Sequence, residues 1–295
     1  MTASTHVAPE RGAVQPRGLD ALPPPEMARR AEEVGARKVR TDTATVFVLA
    51  VLAGAFIAMG AAFATTVMSG SEGLAYGVER LLGGVAFSLG LILVVVAGAE
   101  LFTGNNLVVM AWASRLVSTG RFASNLGLVY LGNFVGALLT AGLMFVTKQY
   151  TFGGGAVGEE ALRIAAAKVD LGFAQAVALG AFCNALVCLA VWLTFSARTT
   201  SDRILAIVPP IAAFVASGFE HSVANMYFVP LGLLVKGDEA WLSGMQGLPD
   251  MNGVTWSSFI VDNLLPVTIG NLIGGTIMVG ALYWFVYLRP GRPRA

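Results

Sequence analysis

Glu220 and His221 lie side by side in the stretch GFEHSVANM. No other charged residue occurs from Ile204 to Phe219, and none follows until Lys236; His221 is also the only histidine outside the N-terminal tail. Histidine exchanges protons near neutral pH, and ionisable side chains inside apolar membrane segments are rare, costly and usually functional. This pair therefore predicts a functional site, provided that the apolar stretch around it spans a membrane.

The composition is that of an integral membrane protein. Hydrophobic residues make up 56% of the chain, charged residues 13%, and the mean hydropathy is +0.71, whereas soluble domains have about 45–50% apolar and about 25% charged residues. Cys183 and Cys188 fall in one apolar run, so we interpret them as small buried side chains and not as a disulfide or metal site. The first 40 residues lack an apolar core of signal-peptide length, so we expect the tail to remain on the mature chain.

Cutting the chain at its charges leaves six apolar blocks, each longer than the ~20 residues that cross a bilayer as a helix. Block two is interrupted only by Glu100 and block five only by Glu220. The blocks are residues 43–71, 81–114, 122–147, 171–197, 204–235 and 263–288. We therefore predict an all-α membrane protein with six transmembrane helices.

The positions of lysine and arginine predict the orientation, because cytoplasmic loops retain positive charge. With the N-terminus inside, fourteen of the nineteen basic residues lie on the cytoplasmic side. The outer side then holds only Arg80, Lys148, Arg163, Lys168 and Lys236. We expect a cytoplasmic tail (1–42), a pore domain (43–289) and a second cytoplasmic tail (290–295), with both termini inside. The fourteen inner residues are Arg11, Arg17, Arg29, Arg30, Arg37, Lys38, Arg40, Arg115, Arg121, Arg198, Arg203, Arg289, Arg292 and Arg294.

Blocks two and five are too long for one straight helix each, since their 34 and 32 residues would extend about 50 Å. Their carboxylates sit among residues that weaken helices, in GAELFTGNN and GFEHSVANM. We predict that both helices are broken at mid-membrane. There Glu100 and Glu220, with Asn105 and Asn225, would have structural roles, the carboxylates accepting hydrogen bonds from free backbone N–H groups. The alternative is a pair of long tilted helices whose glutamates are satisfied by neighbours.

The two halves of the chain carry matching motifs in the same order, which indicates an internal repeat. Three spans per half is an odd number, so the second half would enter the membrane from the opposite face. Such inverted repeats place a substrate site near the midplane, where broken helices present free backbone groups. Segment 148–170 would connect the halves. The matched motifs are GAF at 54–56 and 180–182, GxExxxxN from Gly98 and from Gly218, and GNFVG at 132–136 with GNLIG at 270–274.

From about residue 21 to 289 the sequence resembles the formate/nitrite transporter family. The resemblance rests on PPEMARRAEEVGARK, GAELFTGNNLVVM, AKVDLGF, FVASGFEHSVANMYFVPLG and NLLPVTIGNLIGG. It implies an aquaporin-like protomer with broken second and fifth helices in the cytoplasmic (inner) membrane. It also implies a homopentamer with one pore per protomer that passes small monovalent anions or their acids.

The resemblance also implies roles for individual residues. His221 matches the central pore histidine and Thr103 the loop threonine that hydrogen-bonds it. Lys168 matches the lysine of the outer vestibule, although as an ordinary loop lysine it would simply be solvated beside Asp170. The loop reads TGNN, which departs from the continuation after the threonine that is expected for formate channels. The remaining matches are Asn184 and Asn271 as polar pore residues, and Phe87, Leu91 and Phe214 as apolar constrictions.

These residue types suit the transport of formate together with a proton. A bare carboxylate is very costly in an apolar constriction, and such groups usually take up a proton there. Apolar gates would therefore pass the neutral acid if His221, oriented by Thr103, supplied the proton, and Lys168 would concentrate anions at the mouth. We predict a formate channel that has no cofactor, no metal and no nucleic-acid partner, and that contacts the lipid bilayer.

Other functions are open at this point. Nitrite and hydrosulfide channels of the same family share this pore chemistry. A neutral-solute aquaporin-like channel is disfavoured because paired NPA breaks are absent and the breaks carry Glu and His. An enzyme is disfavoured because the sequence has no metal-ligand cluster, no nucleophile with a base and no phosphate-binding glycine loop.

Overall fold

The computed structural model describes residues 21–71 and 73–290, and within them all regular structure is helical. Five helices in this part are long and apolar enough to cross a membrane. Arg11, Arg17, Arg292 and Arg294 of the charge count lie outside the described residues. The prediction of an all-α membrane protein is confirmed.

The first half consists of a short amphipathic helix, an unbroken span, a broken span and another unbroken span. Its helices are α1 (Pro24–Arg40), α2 (Thr43–Met68), α3 (Tyr76–Ala97), α4 (Phe102–Asn105), α5 (Val109–Ala113) and α6 (Thr119–Val146). A 3-10 turn, Asn106–Val108, joins α4 to α5.

The second half has the same order of elements. Two 3-10 turns, Gln149–Thr151 and Gly153–Gly155, lead into it. Its helices are α7 (Ala156–Val169), α8 (Phe173–Ser196), α9 (Thr200–Ala216), α10 (Ser222–Lys236) and α11 (Glu239–Leu242). A final helix, Trp256–Tyr287, follows. Within it, Phe259–Leu264 and Ile273–Ala281 have the wider π-helical geometry.

Both predicted breaks are present. Helix α3 ends at Ala97, and Gly98 turns the chain with φ of +83° before α4 begins. Helix α9 ends at Ala216, and Gly218 has φ of +71° before α10 begins. Positive φ is readily accessible to glycine and costly for other residues, so these two glycines end the helices at corresponding places. The alternative of two unbroken tilted helices is wrong.

The glycines of the GNFVG and GNLIG motifs allow helices to cross at close range. A Cβ atom added to Gly136 would collide with the carbonyl oxygen of Val51 on α2. A Cβ atom added to Gly274 would collide in the same way with Ala181 on α8. Small residues at such crossings let backbones pack directly against each other in membrane proteins. The repeated motif therefore sets the same helix contact in both halves.

The region that was predicted as a tail contains a packed helix. Helix α1 buries Met27, Ala28 and Ala31 against Val109 and Trp192. Its Arg30 guanidinium donates a hydrogen bond to the carbonyl oxygen of Phe195, near the end of α8. The interpretation of the two cysteines is consistent with the fold, since Cys183 and Cys188 are fully buried and free.

Candidate functional site

An asparagine side chain stabilises the first break. The Oδ1 atom of Asn133 accepts a hydrogen bond from the Phe102 N–H at 2.8 Å, at the start of α4. Its Nδ2 atom donates to the carbonyl oxygens of Ala50 at 2.7 Å and Glu100 at 2.9 Å. Since broken helices leave backbone groups without intrahelical partners, Asn133 supplies two of the missing hydrogen bonds, to Phe102 and Glu100. Its bond to Ala50 ties the break to α2.

Asn271 does the same at the second break. Its Oδ1 atom accepts from the Ser222 N–H at 2.9 Å, and its Nδ2 atom donates to the carbonyl oxygens of Gly180 at 2.8 Å and Glu220 at 2.9 Å. Both asparagines belong to the matched GN motifs and are fully buried. The predicted repeat is therefore also a repeat of hydrogen bonds.

The carboxylate of the first break is held by side chains. Glu100 accepts hydrogen bonds from Lys38 Nζ at 2.9 Å and from Asn105 Nδ2 at 2.7 Å. Asn105 also donates to Asn125 Oδ1 at 3.2 Å and accepts from Lys38 at 2.8 Å. Lysine, carboxylate and two asparagines thus form one cluster that ties α1 and α6 to the break.

The second break has a corresponding cluster. Glu220 accepts from Lys168 Nζ at 2.9 Å, from Asn225 Nδ2 at 2.7 Å and from Asn263 Nδ2 at 3.3 Å. The structural roles of the glutamates and of Asn105 and Asn225 fit these contacts. The expected partners were wrong, because Asn133 and Asn271 already bond to the backbone at the starts of α4 and α10, while the carboxylates pair with lysines.

Two cavities approach the breaks from opposite sides. The larger, about 460 Å³, is called here the Lys168 cavity; its walls include Lys168, Glu220 and His221. The smaller, about 220 Å³, is called the Lys38 cavity; its walls include Lys38 and Glu100. The wall of each cavity thus contains a lysine that is ion-paired with a glutamate. Of the two cavities, only the Lys168 cavity reaches His221.

His221 and Thr103 meet between the two breaks. Thr103 Oγ1 and His221 Nε2 are 2.9 Å apart, and both side chains are almost completely buried. Thr103 belongs to α4, whereas His221 directly precedes α10, so this hydrogen bond joins the two halves of the repeat. The predicted contact between these residues is present.

The hydrogen bonds of His221 assign its tautomer. Its Nδ1 atom accepts a hydrogen bond from the Ala224 N–H at 3.0 Å and thereby caps the N-terminus of α10. Nδ1 therefore carries no proton, and the neutral ring donates from Nε2 to Thr103 Oγ1. Because Thr103 accepts this bond, its own O–H remains available as a donor.

Aromatic rings narrow the Lys168 cavity beside His221. The rings of Phe87 and Phe214 meet edge to face with centroids 5.4 Å apart, and Phe214 stacks on the His221 ring at 6.0 Å. Leu91 lies in the wall of the Lys38 cavity. Of the three predicted constriction residues, two therefore line the Lys168 cavity and one lines the Lys38 cavity.

Asn184 and Asn271 are placed differently from the other predicted pore residues. Neither contributes to the wall of the Lys168 cavity or of the Lys38 cavity among the described residues. Asn184 is fully buried and donates from Nδ2 to the carbonyl oxygen of Asn271 at 2.6 Å. Their hydrogen bonds support the second break, and a direct role in the pore stays a prediction.

Sequence reasoning missed Lys38 as part of the site, since we counted it only as one of the charges that mark the inner face. It occupies the position at the first break that Lys168 occupies at the second. Asn125 and Asn263 were also missed. The repeat was the available signal, because the same spacing of 138 residues separates Asn125 from Asn263 and Asn133 from Asn271.

Comparisons with known proteins give a consistent result. The sequence profile described as "Formate/nitrite transporter" matches residues 25–285. The chain is 44% identical over 274 residues to "Formate channel FocA" of Escherichia coli (strain K12), covering 92% of this chain and 96% of that protein. It is 38% identical over 265 residues to "Formate channel FocA" of Haemophilus influenzae, covering 88% and 93%.

Solved structures agree with the sequence comparisons. A "Pentameric formate channel with formate bound" superposes with a TM-score of 0.77 at 41% identity, covering 84% of this chain and 98% of that one. An "FNT family ion channel" superposes with a TM-score of 0.73 at 29% identity, covering 88% and 98%. With the profile spanning most of the chain, this protein belongs to the formate/nitrite transporter family.

Proposed function

We propose that this protein transports formate, and similar small weak-acid anions, across the cytoplasmic membrane through a pore within each protomer. The contact between His221 and Thr103 carries the proposal, because His221 lines the Lys168 cavity and Gly104, next to Thr103, lines the Lys38 cavity. The similarity to formate channels supports formate as the substrate.

The apolar groups around that contact explain why a weak acid suits the pore. Phe87, Phe214 and Leu91 are almost completely buried. A carboxylate without hydrogen bonds is strongly destabilised in such surroundings, whereas the neutral acid is destabilised far less. The constriction would therefore exclude strongly hydrated ions and pass the protonated substrate, for which Thr103 and His221 offer hydrogen bonds.

The tautomer of His221 restricts how that proton is supplied. Transfer from Nε2 of a neutral ring would leave an imidazolate, unless Nδ1 took up another proton at the same time. Nδ1 is occupied by the Ala224 N–H, and a second proton there would face that donor and the positive end of the α10 dipole. We therefore propose that His221 stays neutral and bonds to the substrate or to Thr103, while the proton comes from water in the cavity.

Orientation and assembly are part of the same proposal. We propose that both termini are cytoplasmic, so that the Lys168 cavity opens outward. We also propose a homopentamer, as in the solved relative. The exposed apolar side chains of α6 support a surface that contacts lipid or a neighbouring protomer; these include Leu131, Leu139, Leu143 and Val146.

A flux panel tests the substrate. Purified protein in liposomes is assayed with formate, nitrite, hydrosulfide and glycerol, while internal pH is recorded. We expect rapid formate flux accompanied by a pH change of the sign for entry of the acid, and no glycerol flux. Faster nitrite or hydrosulfide flux would assign the protein to the alternative within the family, and glycerol flux without a pH change would contradict an acid channel.

A further inference from the structure

Arg80 differs from the other cations in the wall of the Lys168 cavity because no carboxylate pairs with it. Lys168 is bound to Glu220, and Arg163 is bound to Glu159 and Glu160. Among the described residues, Arg80 takes part in no ion pair within 4.0 Å. The paired cations are partly neutralised, whereas the charge of Arg80 is not neutralised by direct contact.

The guanidinium of Arg80 lies at the second break. Its Nη2 atom donates to the carbonyl oxygen of Val215 at 2.9 Å, near the end of α9, and lies close to Gly218. Its Nε atom is buried and has no acceptor among the described residues. Arg80 lines the same cavity as the Phe87–Phe214 ring pair. The guanidinium is therefore held by the bond to Val215 and by a weaker 4.0 Å contact from Nη1 to Met68 Sδ, and it keeps N–H groups that have no acceptor within the described part of the chain.

Glu79 directly precedes Arg80 in the sequence, but the two side chains do not form an ion pair. Glu79 lines the Lys168 cavity and also a neighbouring pocket with Gly70 and Ala156. Arg80, in contrast, reaches the backbone of the break. Arg80 and the two aromatic rings line one cavity, so an anion inside it can contact the guanidinium.

The second half of the repeat has no charged residue at the position that corresponds to Arg80. Glu100 and Glu220 are repeat partners, 120 residues apart, and the same spacing relates Arg80 to Thr200, which carries no charge. The Lys38 cavity accordingly has Lys38 and Glu100 as its only charged lining residues within the described part. Arg80 is therefore an addition to the repeated pattern.

We propose that Arg80 forms an anion-binding subsite in the Lys168 cavity, where its free guanidinium N–H groups hold a small monocarboxylate before the Phe87–Phe214 ring pair. The guanidinium fork matches the two oxygens of a carboxylate, and a buried donor without an acceptor favours binding of an acceptor. The subsite rests on the proposed function, since it names where the transported anion first binds.

The test changes the charge at this one position. Arg80→Cys is modified in detergent with a cationic (trimethylammonium) or an anionic (sulfonate) methanethiosulfonate and then reconstituted. Initial formate uptake is measured well below saturation and at saturation. We expect Arg80→Cys to lower low-concentration flux about three- to tenfold, the cationic adduct to restore most of it, and the anionic adduct to lower it further. Saturating flux should change less.

Matched controls separate this effect from damage to the fold. Arg121→Cys receives the same reagents and should change flux less than about twofold, since Arg121 is exposed and lines neither the Lys168 cavity nor the Lys38 cavity. Treated wild-type protein controls for the buried Cys183 and Cys188. Arg80→Gln keeps a donor for Val215 without the charge, and it should assemble normally yet have the same low flux as Arg80→Cys.

Equal flux in the two adducts, or unchanged flux in Arg80→Gln, would overturn the subsite while leaving formate transport intact. If wild-type protein passed no formate, the proposed function would fail instead. The same series would then be run with nitrite, whose two oxygens present a similar acceptor pair.

Discussion

His221 has a structural role, and we propose that the same ring also takes part in transport. Nδ1 caps α10, and Nε2 bonds to Thr103 across the repeat. A substitution at this position therefore affects both the cap on α10 and the contact with Thr103. The effect of losing Nδ1 has to be separated from the effect of losing Nε2. Asparagine is among the best N-cap residues, whereas phenylalanine supplies no acceptor for the Ala224 N–H.

We predict that His221→Phe lowers formate flux at least tenfold and that His221→Asn retains better assembly. Loss of the cap in the Phe variant costs about 1 kcal/mol, which is expected to leave the protein folded. The measurements are formate flux into liposomes and the midpoint of thermal unfolding in detergent. Wild-type flux in His221→Phe would identify the histidine as a core residue without a role in the pore.

Glu160 is the residue from which we expect a pH effect on stability. Burial raises the pKa of its carboxyl group to about 6, against the opposing effect of Arg163. A raised folded-state pKa means that folding favours the protonated form, so this contribution is present at low pH and is lost as pH rises through about 6. The midpoint of thermal unfolding should therefore rise as the pH is lowered from 7.5 to 5.

The Glu160→Gln variant isolates this contribution. Glutamine resembles the protonated acid, so the variant should be more stable than wild-type protein at pH 7.5, by on the order of 1–2 kcal/mol. The difference should shrink toward pH 5. Equal pH dependence in the two proteins would show that Glu160 does not titrate in this range.

At the scale of elements, the breaks were predictable because their causes are local. Block length together with Gly98, Gly218 and the isolated glutamates predicted two interrupted helices, and the structure has them. The partners of the glutamates were not predictable in this way. Lys38 and Lys168 lie on separate helices, and only the folded arrangement of those helices places their amines against the carboxylates.

The lysine–glutamate pairs make α1 and α7 part of the breaks. The side chains of Lys168 and Glu220 are 14% and 7% exposed, and those of Lys38 and Glu100 are 27% and 11% exposed. Removing one partner of a buried pair leaves an uncompensated charge, which costs about 3–5 kcal/mol. More exposed pairs lose less, because water solvates the remaining charge.

We therefore predict that Lys168→Ala destabilises the assembled protein more than Lys38→Ala does. Adding Glu220→Gln to Lys168→Ala should recover part of the loss, since it removes the unpaired carboxylate. Thermal unfolding in detergent and size-exclusion profiles give the comparison. Independent, additive effects of the two substitutions would mean that the pair does not couple α7 to the break.

At the scale of the whole molecule, the inverted repeat explains why two similar cavities exist and why their contents differ. The GN motifs, the glutamates and the asparagines recur in both halves, whereas His221 corresponds to Leu101 at the repeat spacing of 120 residues. The repeat could be predicted from the sequence because its motifs are local patterns that recur in the same order in both halves. The sequence could not predict the cavity walls, which are formed by side chains from helices far apart in the chain.

The orientation of that repeat in the membrane gives the last prediction. Fourteen of nineteen basic residues lie on one side of the predicted topology, so this side should be cytoplasmic. Thr151 and Asn252 are exposed in segments on the opposite side, whereas Gly120 is exposed at the start of α6. Cysteines at these positions report on sidedness, because Cys183 and Cys188 are fully buried and should not react.

In intact cells, an impermeant maleimide should label Thr151→Cys and Asn252→Cys, and it should label Gly120→Cys only after the membrane is permeabilised. Space for the new side chain exists at Gly120, where no atom lies within 4 Å of an added Cβ. Formate uptake by each variant confirms that it is folded. Labelling of Gly120→Cys in sealed cells would reverse the orientation, and the cavity of Lys168, Arg80 and His221 would then open to the cytoplasm.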